Sequence, residues 1–329
     1  MNAEKPDRNL AIEIVRVTEA AALAASRWQG RGDKEAGDQA AVDAMRQVLD
    51  TVEMDGTVII GEGEKDEAPM LFNGERVGSG NPPEVDIAVD PVEGTRLLAE
   101  GRPGSLAVMA AAPAGTMFDP GPCVYMEKIV VSGSAADAVD LDASLADNLR
   151  AVAAATGREI RDLTVVMLDR DRHEQAKREV REVGARLMLI TDGDVAGGLL
   201  AAWEDRPQVD MLYGIGGTPE GVITACAVKA LGGQMLGRLW ARSDDERQRA
   251  IDGGYDLDAV LEVDDLVSAE DCFFACTGIT AGQLLRGVTF GRNSATTESL
   301  VMRSKSGTVR QIRATHRLEK LRQYATVPY

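Results

Sequence analysis

Between Leu163 and Leu239 the chain alternates short apolar, β-branched runs with helix-like spacers, and that rhythm admits few architectures. Leu163–Leu168, Arg186–Ile190, Val209–Ile215 and Gln234–Leu239 are predicted strands, with helices predicted between them. Parallel neighbours need a crossover, usually a helix, so this order predicts a mainly parallel sheet covered on both faces. The first three runs lead into polar residues: Asp169-Arg170-Asp171-Arg172, Asp192-Gly193-Asp194, and Gly216-Gly217-Thr218-Pro219-Glu220. Ligands of open α/β sheets bind beyond the carboxyl ends of the strands. A binding edge is therefore expected there.

The first half reads as an α+β layer. Leu10, Ile14, Val17, Ala21 and Ala24 recur at helical spacing, predicting a helix over Asn9–Trp28. A second helix is expected from about Asp38 to Val52, with Asp38 placed to cap its first turn. Thr57–Ile60 and Val85–Val89 are short predicted strands, leading into Gly61-Glu62-Gly63-Glu64 and into Asp90. Further strands are expected around Ser105–Ala112 and Val124–Val131, and again from Cys272 to Thr315, with a polar hairpin turn at Arg303–Thr308. A soft boundary near Asp140–Arg161 divides residues 1–150, a metal-binding half, from 151–329, a substrate-binding half, with one active site shared between them.

Composition removes several classes of function. The formal charge is −17, which argues against nucleic acid or an anionic membrane as partner, since both demand a basic face. Leu106–Ala114, the longest apolar run, is too short to span a bilayer and contains Pro113. With only His173 and His316 in the chain, a histidine-rich zinc site is nearly excluded. Cys123, Cys226, Cys272 and Cys276 show no paired metal spacing, so free buried thiols in a reducing cytoplasm are expected.

The chemistry is concentrated in acids. Asp38, Glu62, Asp90 and Glu93 fall at or beyond predicted element ends. Like charges gathered in a fold must be neutralised by protons or by hard cations, and oxygen ligands in such a group suit Mg²⁺ or Mn²⁺. Read singly, each signal has a plainer alternative. Asp90-Pro91 can be an ordinary turn, Glu62 a surface acid, Asp38 a helix cap, and Arg170 and Arg172 solvated cations. The Gly-rich Gly214–Gly221 can cradle phosphate at a helix N-terminus or merely turn the chain tightly. Their convergence on one face favours metal-dependent phosphate chemistry.

The string Asp90-Pro91-Val92-Glu93-Gly94-Thr95, with Gly61-Glu62-Gly63-Glu64 upstream, resembles the magnesium-dependent, lithium-sensitive sugar phosphatases related to inositol monophosphatase and fructose-1,6-bisphosphatase. The whole chain is similar to the class II, GlpX-type fructose-1,6-bisphosphatases, through Gly30–Lys34, Gly61–Met70, Ile190–Asp194, Gly214–Gly221 and Met302–Thr308. That resemblance implies a layered α/β/α/β/α sandwich. It implies metal ligands at Asp38, Glu62, Asp90, Glu93 and Glu220, and catalytic roles for Thr95 and Asp38, with Thr95 helping to deprotonate the attacking water. It implies substrate contacts from Glu93, Gly94, Thr95, Tyr125, Arg170, Asp171, Arg172, Asp192, Gly193, Asp194 and Gly217. Two departures bear on substrate preference: Asp171 stands where the family usually has proline between two basic residues, with Arg170 expected to pair with it, and Gly104-Ser105 replaces a short amide or small residue.

The activity implied is hydrolysis of the 1-phosphate of fructose 1,6-bisphosphate, a gluconeogenic step, by a homodimer or homotetramer. A sedoheptulose 1,7-bisphosphate or inositol phosphate specificity is the neighbouring alternative. A catalytically silent sugar-phosphate sensor is the alternative of another class; the intact acids and Thr95 weigh against it.

Overall fold

Apolar periodicity decides which faces are buried, and two sheets with three helical layers result. The structure, a computed structural model, describes residues 9–61, 71–206 and 208–323. In chain order the elements are α1 (Ala11–Ala25), α2 (Lys34–Leu49), β1 (Asp55–Ile60), β2 (Arg76–Val77), β3 (Glu84–Glu93), α3 (Thr95–Glu100), β4 (Leu106–Pro113) and β5 (Tyr125–Val131). There follow α4 (Leu145–Thr156), β6 (Thr164–Leu168), α5 (Glu174–Glu182), β7 (Arg186–Ile190), α6 (Val195–Ala202), β8 (Met211–Gly217), α7 (Thr218–Leu231) and β9 (Gln234–Trp240). The chain ends with α8 (Asp244–Asp252), β10 (Leu261–Glu262), α9 (Val263–Leu266), β11 (Phe273–Gly278), β12 (Thr289–Phe290), β13 (Ser294–Arg303), β14 (Thr308–Arg317) and α10 (Leu318–Leu321).

One sheet runs β12-β13-β11-β4-β3-β1-β2, with β14 pairing on β13; the other runs β10-β9-β5-β8-β6-β7. Period-two alternation along β4 shows how the layers stack. Leu106, Val108, Ala110 and Ala112 share a core with α6 and α7, whereas Ala107, Met109 and Ala111 share one with α1 and α2. In β5 the same alternation continues: Met126 and Val130 share the core with α7, while Ile129 and Val131, on the far side, pack with Leu149 of α4 and Val180 of α5. The order is thus α1/α2, sheet, α6/α7, sheet, α4/α5, the five-layer sandwich expected. Helix α7 is buried nearly all round because it lies between two sheets, which explains a sequence apolar on every face.

The expectation of a mainly parallel second sheet needs correction. Strands β6, β7 and β8 are parallel neighbours, but β5 pairs antiparallel with β8 and β9, and β10 pairs antiparallel with β9. Nor do the layers follow the division at residue 150. Strand β5, from the first half, lies inside the second sheet, and β11 to β14, from the second half, complete the first. Sequence adjacency carries no information about such long-range pairing. Residues 304–306 form the hairpin turn between β13 and β14, as expected.

Candidate active site

The acidic string lies within β3, which runs through Asp90-Pro91-Val92 to Glu93 and so does not end at Val89 as expected. In a regular strand, residues three apart face opposite sides. Opposite Asp90 stands Val108 and opposite Glu93 stands Leu106, so three steps on β3 match two on β4. This inserted residue, a β-bulge, returns Glu93 to the side occupied by Asp90. The Asp90 carboxylate then accepts from the Val92 amide at 3.0 Å, pinning the bulge. Pro91, with no N–H to donate, is tolerated where the ladder is interrupted.

The third carboxylate comes from α7, in the helix layer between the sheets. Glu220 is the third residue of α7, and its carboxylate joins those of Asp90 and Glu93, with one oxygen from each lying within 4.8 Å of the others. A Cβ on Gly217 would overlap Glu220 Oε2, and one on Gly216 would overlap Asp194 Oδ2, so these glycines are there for close approach. Glu93 Oε1 accepts from the Val195 amide at the start of α6 at 2.9 Å. Burial, and then the neighbouring Glu220 and Asp194 carboxylates, push the Glu93 carboxyl well above the usual range, against the lowering effect of the Val195 and Asp90 hydrogen bonds. The group cannot hold its full negative charge without a cation.

A cleft of about 300 Å³ opens over this trio. Glu93, Gly94, Thr95, Tyr125, Arg170, Arg172, Asp192, Gly193, Asp194 and Gly217 all line it, together with Asp90 and Glu220. Arg170 donates to the Thr191 carbonyl at 2.6 Å and reaches Asp192 at 3.4 Å. Arg172 donates twice to the Ile215 carbonyl and stands 5.1 Å from the Tyr125 ring centroid. Two guanidinium groups and the carboxylate trio therefore line one cleft. A second cavity of about 310 Å³, lined by Leu97, Met188, Leu200 and Leu285 among others, shares Asp192 and Gly193 with the cleft but has an apolar wall. It lacks the acid group, so the chemistry belongs to the polar cleft.

Other expected residues stand elsewhere. Asp171 is exposed and off the cleft lining, and Arg170 pairs with Asp192 in place of Asp171. The cap of α2 is Asp33, which accepts from the Ala36 amide at 3.0 Å, so Asp38 lies inside the helix. Capping therefore does not account for it. Its Oδ1 is buried with no hydrogen-bond partner among the described residues, and burial raises its carboxyl to about 6. Asp38 lies outside the trio. Glu62 and Glu64 fall outside the described residues. Thr95 is the first residue of α3, and its hydroxyl donates to the Val92 carbonyl at 3.1 Å, not to a neighbouring carboxylate as a relay would require.

Lys128 was not foreseen. It is 1 % exposed, on β5, with Nζ 2.9 Å from Asp194 Oδ2 and 3.0 Å from the Gly217 carbonyl. One ammonium thus ties β5 to the starts of both α6 and α7. Its sequence signal, a lone lysine between Glu127 and the apolar Ile129-Val130-Val131, is that of an edge position.

The donor set of Asp90, Glu93 and Glu220 is all oxygen, compact and partly buried. It fits a hard divalent ion, and offers none of the thiolate or imidazole ligands that softer metals select. Comparison with known proteins agrees with the chemistry. Residues 8–316 match the family model of bacterial fructose-1,6-bisphosphatase, glpX-encoded. The chain is 48% identical to fructose-1,6-bisphosphatase 1 class 2 of Escherichia coli K12 over 326 residues, covering 95% of this chain and 96% of the relative. It is likewise 48% identical to the fructose-1,6-bisphosphatase class 2 of Shigella flexneri, with the same coverage.

Proposed function

This chain belongs to the glpX-encoded bacterial fructose-1,6-bisphosphatases, and from that premise we propose a divalent-metal-dependent phosphatase that converts fructose 1,6-bisphosphate to fructose 6-phosphate and inorganic phosphate. The observation that carries the reading is the carboxylate trio of Asp90, Glu93 and Glu220 lining one cleft with Arg170 and Arg172. Asp90, Glu93 and Glu220 would hold Mg²⁺ or Mn²⁺, with Asp38 and Glu62 as the further ligands that the family likeness implies. When bound, such an ion offsets phosphate charge and acidifies a water. Thr95 orients that water: its own proton is committed to the Val92 carbonyl, so its oxygen is left to accept a hydrogen bond. Arg170, Arg172 and Tyr125 hold the distal 6-phosphate, for which a planar guanidinium is well matched. Gly94, Asp192, Gly193, Asp194 and Gly217 surround the sugar.

The test is release of inorganic phosphate from fructose 1,6-bisphosphate, sedoheptulose 1,7-bisphosphate and inositol phosphates, with and without EDTA. The highest kcat/KM is expected on fructose 1,6-bisphosphate, lost in EDTA and restored by Mg²⁺ or Mn²⁺. Release that survives exhaustive chelation overturns the metal assignment, and a preference for the seven-carbon sugar overturns the substrate. A protein that binds but never releases phosphate is the sensor.

A homodimer or homotetramer is proposed alongside. Leu189, 39% exposed on the edge strand β7, supports burial of that edge by a second copy. Light scattering on the purified protein decides. A cytoplasmic location is supported by four buried free thiols, and among the described residues no helix is long and apolar enough to cross a membrane.

A further inference from the structure

Strands β6 and β8 pair in parallel only at Val165 with Met211 and Val166 with Leu212. Beyond that point the ladder stops and the strands part. The imidazole of His173 stands in the gap. Its Nδ1 is 2.8 Å from the Leu168 carbonyl at the end of β6, and its Nε2 is 2.8 Å from the Ile215 amide of β8. A carbonyl only accepts and an amide N–H only donates. Both bonds therefore form in one protonation state, the neutral ring with hydrogen on Nδ1. A second observation concerns Gly214, whose φ is +147° and where an added Cβ would lie 3.0 Å from His173 Cε1. β8 has thus given up a side chain where the ring sits. A third is that the carbonyl of Ile215, the residue whose amide holds the ring, accepts both hydrogen bonds from Arg172.

We propose that His173 is a positioning residue: as a neutral spacer it holds β6 and β8 apart at the mouth of the cleft and seats Arg172 for phosphate, and protonation undoes both. The inference rests on the phosphate-holding role proposed for Arg170 and Arg172. An added proton on Nε2 would point at the Ile215 N–H, breaking that bond and displacing Ile215, whose carbonyl, on the following peptide, seats Arg172. Burial comes first in holding the ring below the ordinary histidine value, and Arg172, Lys177 and Arg170 act in the same direction, against the Leu168 hydrogen bond. Lys177 is itself paired with Asp169 and Glu174. The carboxylate across the crevice, Asp194, is committed to Lys128. The spacer is therefore intact at neutral pH and is lost as pH falls through the lowered value.

The experiment compares wild type with His173→Gln, whose amide oxygen can still accept from Ile215 but cannot titrate, and with His173→Leu, which leaves that amide unpaired. In folded His173→Leu, KM for fructose 1,6-bisphosphate is expected to rise at least about fivefold at pH 8 with kcat within about twofold, and His173→Gln to recover most of the loss. As pH falls toward 5.5, KM should climb more steeply in wild type than in His173→Gln; substrate phosphates titrate identically in both. Imidazole ¹⁵N spectra, assigned with His316→Gln, should show the Nδ1–H tautomer. Wild-type KM in folded His173→Leu, identical pH profiles in wild type and His173→Gln, or an Nε2–H tautomer overturns the proposal. A wild type silent on fructose 1,6-bisphosphate overturns the proposed function alone; the ¹⁵N spectra and the affinity for inorganic phosphate, expected to fall at least about fivefold in His173→Leu, then decide the spacer.

Discussion

Thr95 and Asp38 show what a single side chain contributes when its neighbours are fixed. The Thr95 hydroxyl has one donor, already given to the Val92 carbonyl, so what it offers the reaction is an acceptor. Thr95→Ala should lower kcat by about 10²- to 10⁴-fold while KM stays within about threefold, read from steady-state phosphate release. Asp38 offers a stability measurement. Its carboxyl is raised from 3.8 to about 6 in the folded, metal-free chain. Below 3.8 folded and unfolded forms are both protonated and the shift costs nothing. As pH rises toward 6, the unfolded chain sheds its proton first, so the folded state loses ground, and above 6 the cost is complete. Discounted for partial exposure, that cost is on the order of 1–2 kcal/mol. Asp38→Asn should therefore raise the melting temperature of EDTA-treated protein at neutral pH by several degrees, with the difference vanishing near pH 4. The sequence placed Asp38 as a helix cap, because Asp33 and Asp38 are equally good caps on paper; only the observed start of α2 decides between them.

Among elements, the bulge in β3 and the junctions before α6 and α7 do the assembling. Asp90 and Glu93 were legible as a pair, but their common face comes from a register shift against β4 that no local pattern announces. The strand-to-helix junctions at Asp194 and Gly217 were legible as polar strand ends, whereas the ammonium joining them lies on β5, 66 residues before Asp194 and 89 before Gly217, and unreadable as a partner. Lys128→Met removes the cation and leaves Asp194 buried and unpaired. Breaking such a pair from one side costs about 3–5 kcal/mol, because the remaining charge keeps its desolvation penalty. A fall of that size in urea-unfolding stability is expected, and Lys128→Met/Asp194→Leu should recover part of it. An unchanged midpoint in the single variant would show that Lys128 stabilises nothing.

Across the molecule, the trio is a joint between layers: Asp90 and Glu93 hang from the first sheet, and Glu220 from the helix layer between the sheets. An ion bound only by the folded chain stabilises it by mass action, about 2.7 kcal/mol at 100 times its dissociation constant. Adding Mg²⁺ or Mn²⁺ to chelated protein should raise its melting temperature, and Glu220→Gln should shift the metal dependence to higher concentration; a thermal melt against metal concentration measures both. The chain by itself determined the repertoire: strand and helix periods, the acids, the glycines at strand ends, and the family likeness follow from local chemistry that any window of residues displays. Tertiary structure decided which strands share a sheet, on which face each acid lands, and which cation sits between buried loops. These depend on pairings between segments far apart in the chain, and a pairing energy has no counterpart in the residues of either segment alone.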